Sequence, residues 1–368
     1  MDLLATPVAV GGLTLKNPIV FAPTSLGMPP KQALAKLTRI AQGGAGLIIL
    51  GDVSTIEGGF GYSVCRQSDL DFFHRLLKAV RPMGAKVSAQ LFISGNPPGL
   101  SKPVGLSPEE ARARRNQAIR DFVTEMPQSQ MENWIDSFGK GAAVCQEIGF
   151  DMIQIHGDQL CGAFLSPLFN RREDEYGGDV QGRTLFLRRC IQAAQKAAPG
   201  LTIDLKLPVR QENPRYGNGG LRKDELPQAI PLIEQAGPDC YHITLANHGA
   251  LSDTVPPTNH PYFQQEGCFL PFADMVRPYT QKPICGVGKL QTPDFIRQQL
   301  QSGRIQLAAM SRQLIADPDW PLKALGRETE IRRCVYCNAD CLGGMTRRQG
   351  VHCIYDDEQN NRDCMETL

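Results

Sequence analysis

Between residues 18 and 327 the chain alternates short apolar runs with longer amphipathic stretches. The apolar runs are IVFA (19–22), LIIL (47–50), VSAQL (87–91), MIQIH (152–156), IDLKL (203–207), CYHIT (240–244), ICGV (284–287) and IQLAA (305–309). Each is four or five residues long, and most are close to continuously apolar. Strands buried on both faces of a parallel sheet read this way. Amphipathic stretches with helical spacing lie at 31–42, 67–81, 128–148, 181–198, 223–236, 267–278, 292–302 and 319–326. Eight strand–helix units predict an α/β fold, a closed (β/α)8 TIM barrel. A doubly wound open sheet is the rival, but no G-x-G-x-x-G follows the first strand. The reading is a barrel domain over 1–328 and a separate C-terminal segment over 329–368.

A TIM barrel does its chemistry at the C-terminal ends of its strands. There the sequence puts Ala22, Pro23, Thr24 and Ser25 on or after the first strand, Gly51 and Asp52 after the second, and Gln90 in the third. His156 closes the fourth strand, and Lys206 lies near the end of the fifth. His242, Thr244 and His248 lie on and after the sixth, with His242 read as a structural residue of the strand. Gly286, Gly288 and Lys289 (in GVGKL) follow the seventh, and Ser311 and Arg312 (in SRQLIADPDW) the eighth. The last two loops are the usual phosphate cradle of this fold, so they are expected to bind a cofactor phosphate. The Pro- and Gly-rich stretch 92–130 reads as a loop that helps cover the site, and 249–266 as a further wall.

The segment after the barrel holds Cys334, Cys337, Cys341 and Cys353, spaced C-x2-C-x3-C-x11-C. Four thiolates so spaced suit a [4Fe–4S] cluster; a zinc site and plain structural thiols are the alternatives. The chain carries twelve cysteines, yet MDLLATPVAVGGLTLKNP is not a secretory leader. No run has the roughly 18 apolar residues of a membrane span. The expectation is a cytoplasmic protein, in whose reducing surroundings clustered thiols are metal ligands. A formal net charge of +1 gives no electrostatic case for nucleic acid or an anionic membrane.

FLSPLFNRREDEYGGDVQGRTLF (164–186) resembles the signature loop of the Old Yellow Enzyme family of FMN oxidoreductases. LTLKNPIVFAPTS, GFDMIQIHG and SRQLIADPDWP are similar to that family too. With the four-cysteine tail, the chain looks like the iron–sulfur branch that includes 2,4-dienoyl-CoA reductase and trimethylamine dehydrogenase. The resemblance implies FMN in the barrel and one [4Fe–4S] cluster on Cys334, Cys337, Cys341 and Cys353. It implies that Ala22, Pro23, Thr24, Ser25, Gly51 and Asp52 line the flavin ring and that Gln90 bonds its pyrimidine side. Lys206, in place of the family's Arg, would put positive charge beside it. Gly286, Gly288, Lys289, Ser311 and Arg312 would hold the phosphate. Ser25 stands where relatives carry a tethering Cys, implying non-covalent FMN.

On the substrate side the row His156-Gly157-Asp158-Gln159-Leu160-Cys161 departs from the family's His-x-x-(His/Asn)-x-Tyr. His156 and Gln159 would bind an activating carbonyl, and Cys161 stands where the proton-donating Tyr is expected. His248 matches a His that assists proton delivery in dienoyl-CoA reductases and is the preferred acid. Arg172 would meet an acidic substrate group or brace its own loop. The implied activity is reduction of an activated C=C bond, with a small-molecule substrate. Electrons would come through the cluster from a ferredoxin, a flavodoxin or a flavoprotein subunit, or directly from NAD(P)H. Amine oxidation with electron export and a non-catalytic, zinc-stapled barrel are the competing readings. Larger relatives continue into FAD and pyridine-nucleotide domains, whereas this sequence ends at Leu368, so a short form or a piece of a longer protein is expected. Self-association is also expected of such a barrel.

Overall fold

The computed structural model describes residues 2–100, 105–210, 220–246, 251–326 and 330–356. The eight predicted strands are all present, as β3 (Ile19–Thr24), β4 (Leu47–Ser54), β6 (Lys86–Phe92), β7 (Met152–His156), β8 (Thr202–Val209), β9 (Cys240–Leu245), β10 (Ile284–Gly286) and β11 (Leu307–Met310). They pair in parallel in the order β3-β11-β10-β9-β8-β7-β6-β4, and a β3–β4 pairing closes the ring. The protein is a (β/α)8 barrel. A short strand, β5 (Tyr62–Ser63), adds to β4 outside the ring. An antiparallel hairpin of β1 (Val8–Val10) and β2 (Leu13–Leu15) precedes the barrel.

Inside the barrel the alternation of strand side chains sets a vertical gradient. Val10 and Leu15 of the hairpin pack with Val20, Leu47, Met152, Cys240 and Leu307 in one apolar cluster. Side chains two residues further along a strand face the same way. Along β7 the inward series therefore runs Met152, Gln154, His156; along β9 it runs Cys240, His242, Thr244. The floor is apolar and the upper storey is polar. Burying that many polar groups is tolerable only if they pair or face a polar ligand.

Two elements depart from the sequence expectation. Within 92–130, Pro108–Glu125 is an 18-residue helix rather than a loop. A capping box starts it: the Ser107 hydroxyl accepts from Glu110 N, and the Glu110 carboxylate accepts from Ser107 N. Only Ile119 and Val123 of this helix are fully buried, so it carries no apolar stripe to betray it. Gln159–Leu165 forms a further short helix directly after β7.

Residues 330–356 dock on the C-terminal face of the barrel. Gln313 clamps the segment twice, donating from Nε2 to Arg332 O (2.9 Å) and accepting from Cys334 N (2.9 Å). Val351 N donates to Leu26 O (2.9 Å), and Asn338 Nδ2 donates to Val255 O (2.7 Å). Among the described residues no helix is long and apolar enough to cross a membrane.

Candidate active site

A cavity of about 400 Å³ opens at the C-terminal ends of the barrel strands. Ala22, Pro23, Thr24, Ser25, Gly51, Asp52, Gln90, His156, Gln159 and Lys206 line it, together with Gly288, Lys289, Ser311 and Arg312. These residues lie as far apart as 22 and 312 in the chain, and closure of the barrel brings them to one place. Gly286 is at the end of β10 but does not line the cavity. His248 lies outside the described residues.

Strand register explains the polar heart of the site. His156 pairs with Lys206, and Lys206 with His242, so three titratable side chains form one inward rung across β7, β8 and β9. One storey down, Gln90, Gln154 and Asp204 form a second rung. Gln90 Nε2 donates to Gln154 Oε1 (2.6 Å), and Gln154 Nε2 donates to Asp204 Oδ2 (2.5 Å). The Cys240 thiol donates to Asp204 Oδ1 (3.3 Å), and His242 Nδ1 lies 3.3 Å from Gln154 Nε2. Gln90 Oε1 also accepts from Asp52 N (3.4 Å), which fixes the amide that faces the cavity.

Burial governs the charge states here. It pushes the Asp204 carboxyl up to about 6, against bonds from Gln154 and Cys240 and the attraction of Lys206. It pushes His242 down to about 3, helped by the nearby charges of Lys206 and His156, so His242 is a neutral imidazole. Asp52 is raised by burial and pulled back by the Ser25 hydroxyl, which donates to Oδ2, and by Lys206. Lys206 is lowered by burial, while Asp158, Asp52 and Asp204 hold it up. The three aspartates favour the charged form of this buried amine, which faces the cavity.

At the far wall two cations face the cavity, and among the described residues their acceptors are neutral. Arg312 Nη1 donates to Pro256 O (2.8 Å) and Asn338 Oδ1 (2.8 Å). Lys289 Nζ donates to Pro257 O (2.7 Å). Neutral acceptors orient both groups and leave their charge for an anion. Gly288 has φ +114°, and an added Cβ would lie 2.7 Å from Phe269 N. Close backbone approach and two cations held by neutral acceptors suit a phosphate. With the buried cation of Lys206 and the pinned amide of Gln90, these residues fit a flavin mononucleotide. Opposite, Thr24 Oγ1 donates to Ala22 O (2.8 Å) and lies 2.7 Å from Ser311 Oγ.

Strained backbone collects at the same place. Asp52, Gln159, Lys289 and Tyr336 all have φ between +51° and +54°, and all four line the cavity. Non-glycine residues in that region persist only where surrounding structure holds them.

Tyr336 lies between the first two clustered cysteines and is a cavity residue that sequence reasoning missed. Its hydroxyl donates to Lys289 O (2.8 Å), and its ring lies 4.7 Å from the Arg312 guanidinium and 5.3 Å from Lys289 Nζ. It joins the cysteine segment to the phosphate-fitting wall. Asp158, Arg115 and His242 also line the cavity. His242 looked structural by sequence, and only the register with Lys206 shows that it faces the site. No sequence signal marked Arg115, because its helix read as loop.

Cys161 requires a correction. It is 2% exposed, belongs to the apolar core and does not line the cavity. Its thiol sits beside that of Cys190, whose acidity is suppressed by burial and by this neighbour. The short helix over 159–165 turns Cys161 away from the position expected of a proton donor. Arg172 is a brace: Nη1 donates to Val123 O (2.9 Å), Thr124 O (3.1 Å) and Met126 O (2.8 Å) and caps the helix Pro108–Glu125.

Cys334, Cys337, Cys341 and Cys353 ring one small second hollow behind Arg312. Among the described residues no three His, Cys, Asp or Glu side chains are grouped to hold a single metal ion.

The profile of the NADH:flavin oxidoreductase / NADH oxidase family matches residues 3–330. A bilirubin reductase of Clostridium symbiosum is 44% identical over 365 residues, covering 96% of this chain and 98% of that protein. A bilirubin reductase of Mediterraneibacter gnavus is 30% identical over 368 residues, and the match covers 96% of this chain but 57% of that longer protein. In fold, the chain is similar to histamine dehydrogenase from Rhizobium sp. 4-9, with a TM-score of 0.80 at 23% identity, over 96% of this chain and 52% of that one.

Proposed function

The chain belongs to the NADH:flavin oxidoreductase / NADH oxidase family, and from that premise we propose that it reduces an activated C=C bond in an extended conjugated substrate of the bilirubin type. The observation that carries this reading is the inward rung His156–Lys206–His242 at the cavity, backed by the pinned amide of Gln90. The bilirubin reductase relative, matched over nearly its whole length, supports the substrate class.

Bound FMN supplies a hydride. The protein's residues do the rest. Lys206 sets positive charge beside the site where reducing equivalents are held. Gln90 and Asp52 orient the ring-facing groups through their mutual bond. His156 and Gln159 donate hydrogen bonds to the substrate carbonyl conjugated with the double bond, stabilising the negative charge that develops on its oxygen. One alkene carbon receives the hydride and the other a proton, so the C=C bond becomes single with net uptake of two electrons and two protons. His248 is assigned the proton on sequence grounds. His242 is neutral and buried; it shapes the site rather than acting as an acid. Cys334, Cys337, Cys341 and Cys353 would hold a [4Fe–4S] cluster, which would pass single electrons from a ferredoxin, a flavodoxin or a flavoprotein subunit; NAD(P)H would instead give its hydride to the flavin directly.

The test is anaerobic turnover of the purified, FMN-loaded protein with bilirubin and dithionite-reduced methyl viologen or NADH, with iron and sulfide analysis on the same sample. The expected result is enzyme-dependent loss of bilirubin absorbance with saturated C–C product, and about four irons per chain. Intact FMN with no reduction of bilirubin or simpler enoates would overturn the reductase reading. One zinc and no iron would overturn the cluster.

A further inference from the structure

A second cavity, of about 930 Å³, adjoins the first, and Arg115 lines both. Its lining combines aromatic and cationic side chains. Phe60, Phe122 and Trp134 supply the apolar surface, while Arg112, Arg114 and Arg115 project from the helix Pro108–Glu125. Glu57 also lines it and Asp158 attracts Arg115, so among the described residues positive charge is in excess on this wall. From this cavity, which rests on the C=C reduction argued above for its partner site, we infer that the substrate carries carboxylates and that Arg112, Arg114 and Arg115 bind them.

The geometry of the helix makes this arrangement possible. Arg112 and Arg115 are one turn apart on the same face, about 4.5 Å along the axis, and Arg114 flanks them. Three guanidinium forks in that space match two carboxylates on one flexible chain, because each fork can bind a carboxylate bidentately. The helix is anchored at both ends. Its N-terminus has the Ser107–Glu110 capping box, and its C-terminal carbonyls are bonded by Arg172. Arg120 Nε adds a bond to Leu168 O (3.0 Å). Arg115 is oriented by Asn96, whose Oδ1 accepts from its Nε at 3.0 Å.

The apolar wall leads towards the reaction site. Phe60 is 52% exposed, unusual for a phenylalanine, and its ring lies 4.7 Å from that of Phe92. Phe92 in turn lies 6.5 Å from the His156 ring. Flat conjugated rings stack on such a surface. The first cavity holds the groups that fit the flavin, so the body of a large substrate has the second to occupy. The ligand class is therefore a flat, conjugated dicarboxylate, with its reducible bond near His156 and its acid arms on the arginine helix.

The experiment compares bilirubin, a dicarboxylic acid, with its dimethyl ester, using FMN-loaded wild-type protein and the double variant Arg112→Gln/Arg114→Gln. Arg115 is left intact because it also lines the flavin-fitting cavity. Binding is read in the oxidised enzyme, without reductant, by quenching of tryptophan fluorescence. The chain has two tryptophans; Trp134 lines this cavity and Trp320 is buried. KM is read separately under turnover. The variant should bind bilirubin at least tenfold more weakly, with the ester changed less than twofold. Raising salt should weaken the acid and spare the ester. Equal effects on acid and ester, or no effect on either, would overturn the inference. If binding of the acid depends on the arginines but no C=C bond is reduced, the reductase reading fails and the carboxylate site stands.

Discussion

His242 at the cavity and Asp204 one storey below oppose each other in their response to pH, and separating them tests the charge assignment of the barrel interior. His242 is held at about 3 by burial, against an ordinary 6.5. Its folded pKa is lowered, so its contribution to stability is complete above 6.5 and is lost as pH falls towards 3. Asp204 is raised to about 6 from 3.8. Its contribution is complete below 3.8 and is lost as pH rises through about 6. Acidification from pH 7 to 5 should cost about 2 kcal/mol through His242 and return about 1 kcal/mol through Asp204. The wild type should lose only about 1 kcal/mol or less over that window. Asp204→Asn should expose the histidine alone and lose about 2 kcal/mol. His242→Asn should reverse the sign and gain about 1 kcal/mol on acidification. The double variant should be nearly flat. Urea denaturation of FMN-loaded protein at fixed excess FMN, at half-unit pH steps, measures all four. An Asp204→Asn protein with the wild-type slope would refute the reasoning, since Asp204 would then not be titrating in the fold.

Two other outcomes follow from the site. Cys161→Ala, in the core beside Cys190, should leave turnover within about twofold and cost about 1 kcal/mol of stability; a hundredfold fall in kcat would return Cys161 to the chemistry. Gly288→Ala forces a Cβ to 2.7 Å from Phe269 N at φ +114°. It should cost about 1–3 kcal/mol and weaken FMN retention at least tenfold, read as flavin left after dialysis. Unchanged flavin affinity would remove Gly288 from the phosphate cradle.

The barrel was legible because parallel strands buried on both faces must be apolar almost throughout, and runs such as LIIL and MIQIH have no other cheap burial. The helix Pro108–Glu125 was not. It buries only Ile119 and Val123, so the 3.6-residue stripe that reveals other helices is missing. Its Ser-Pro-Glu-Glu start was the signal available, and the Pro- and Gly-rich stretch before it outweighed that cue. Most of the residues expected to hold the flavin line the cavity, since fold and strand end together fix where they lie. Those on the substrate side were harder. The row after His156, which departs from the family's pattern, did not show that residues 159–165 form a helix, which sends Cys161 into the core.

Sequence alone determined the strand–helix alternation, the closed barrel, the strand ends where chemistry gathers and the four-cysteine spacing. All of these depend on local hydrophobic period and on residue type. Tertiary structure decided which of those residues meet. Inter-strand register put His242 beside Lys206 and Gln154 beside Asp204, and nothing in either strand's own sequence fixes its offset from the next. Docking of the C-terminal segment placed Tyr336 between Lys289 and Arg312. The pKa of His242 is likewise a property of its depth and neighbours, because desolvation is set by the whole fold rather than by the residue.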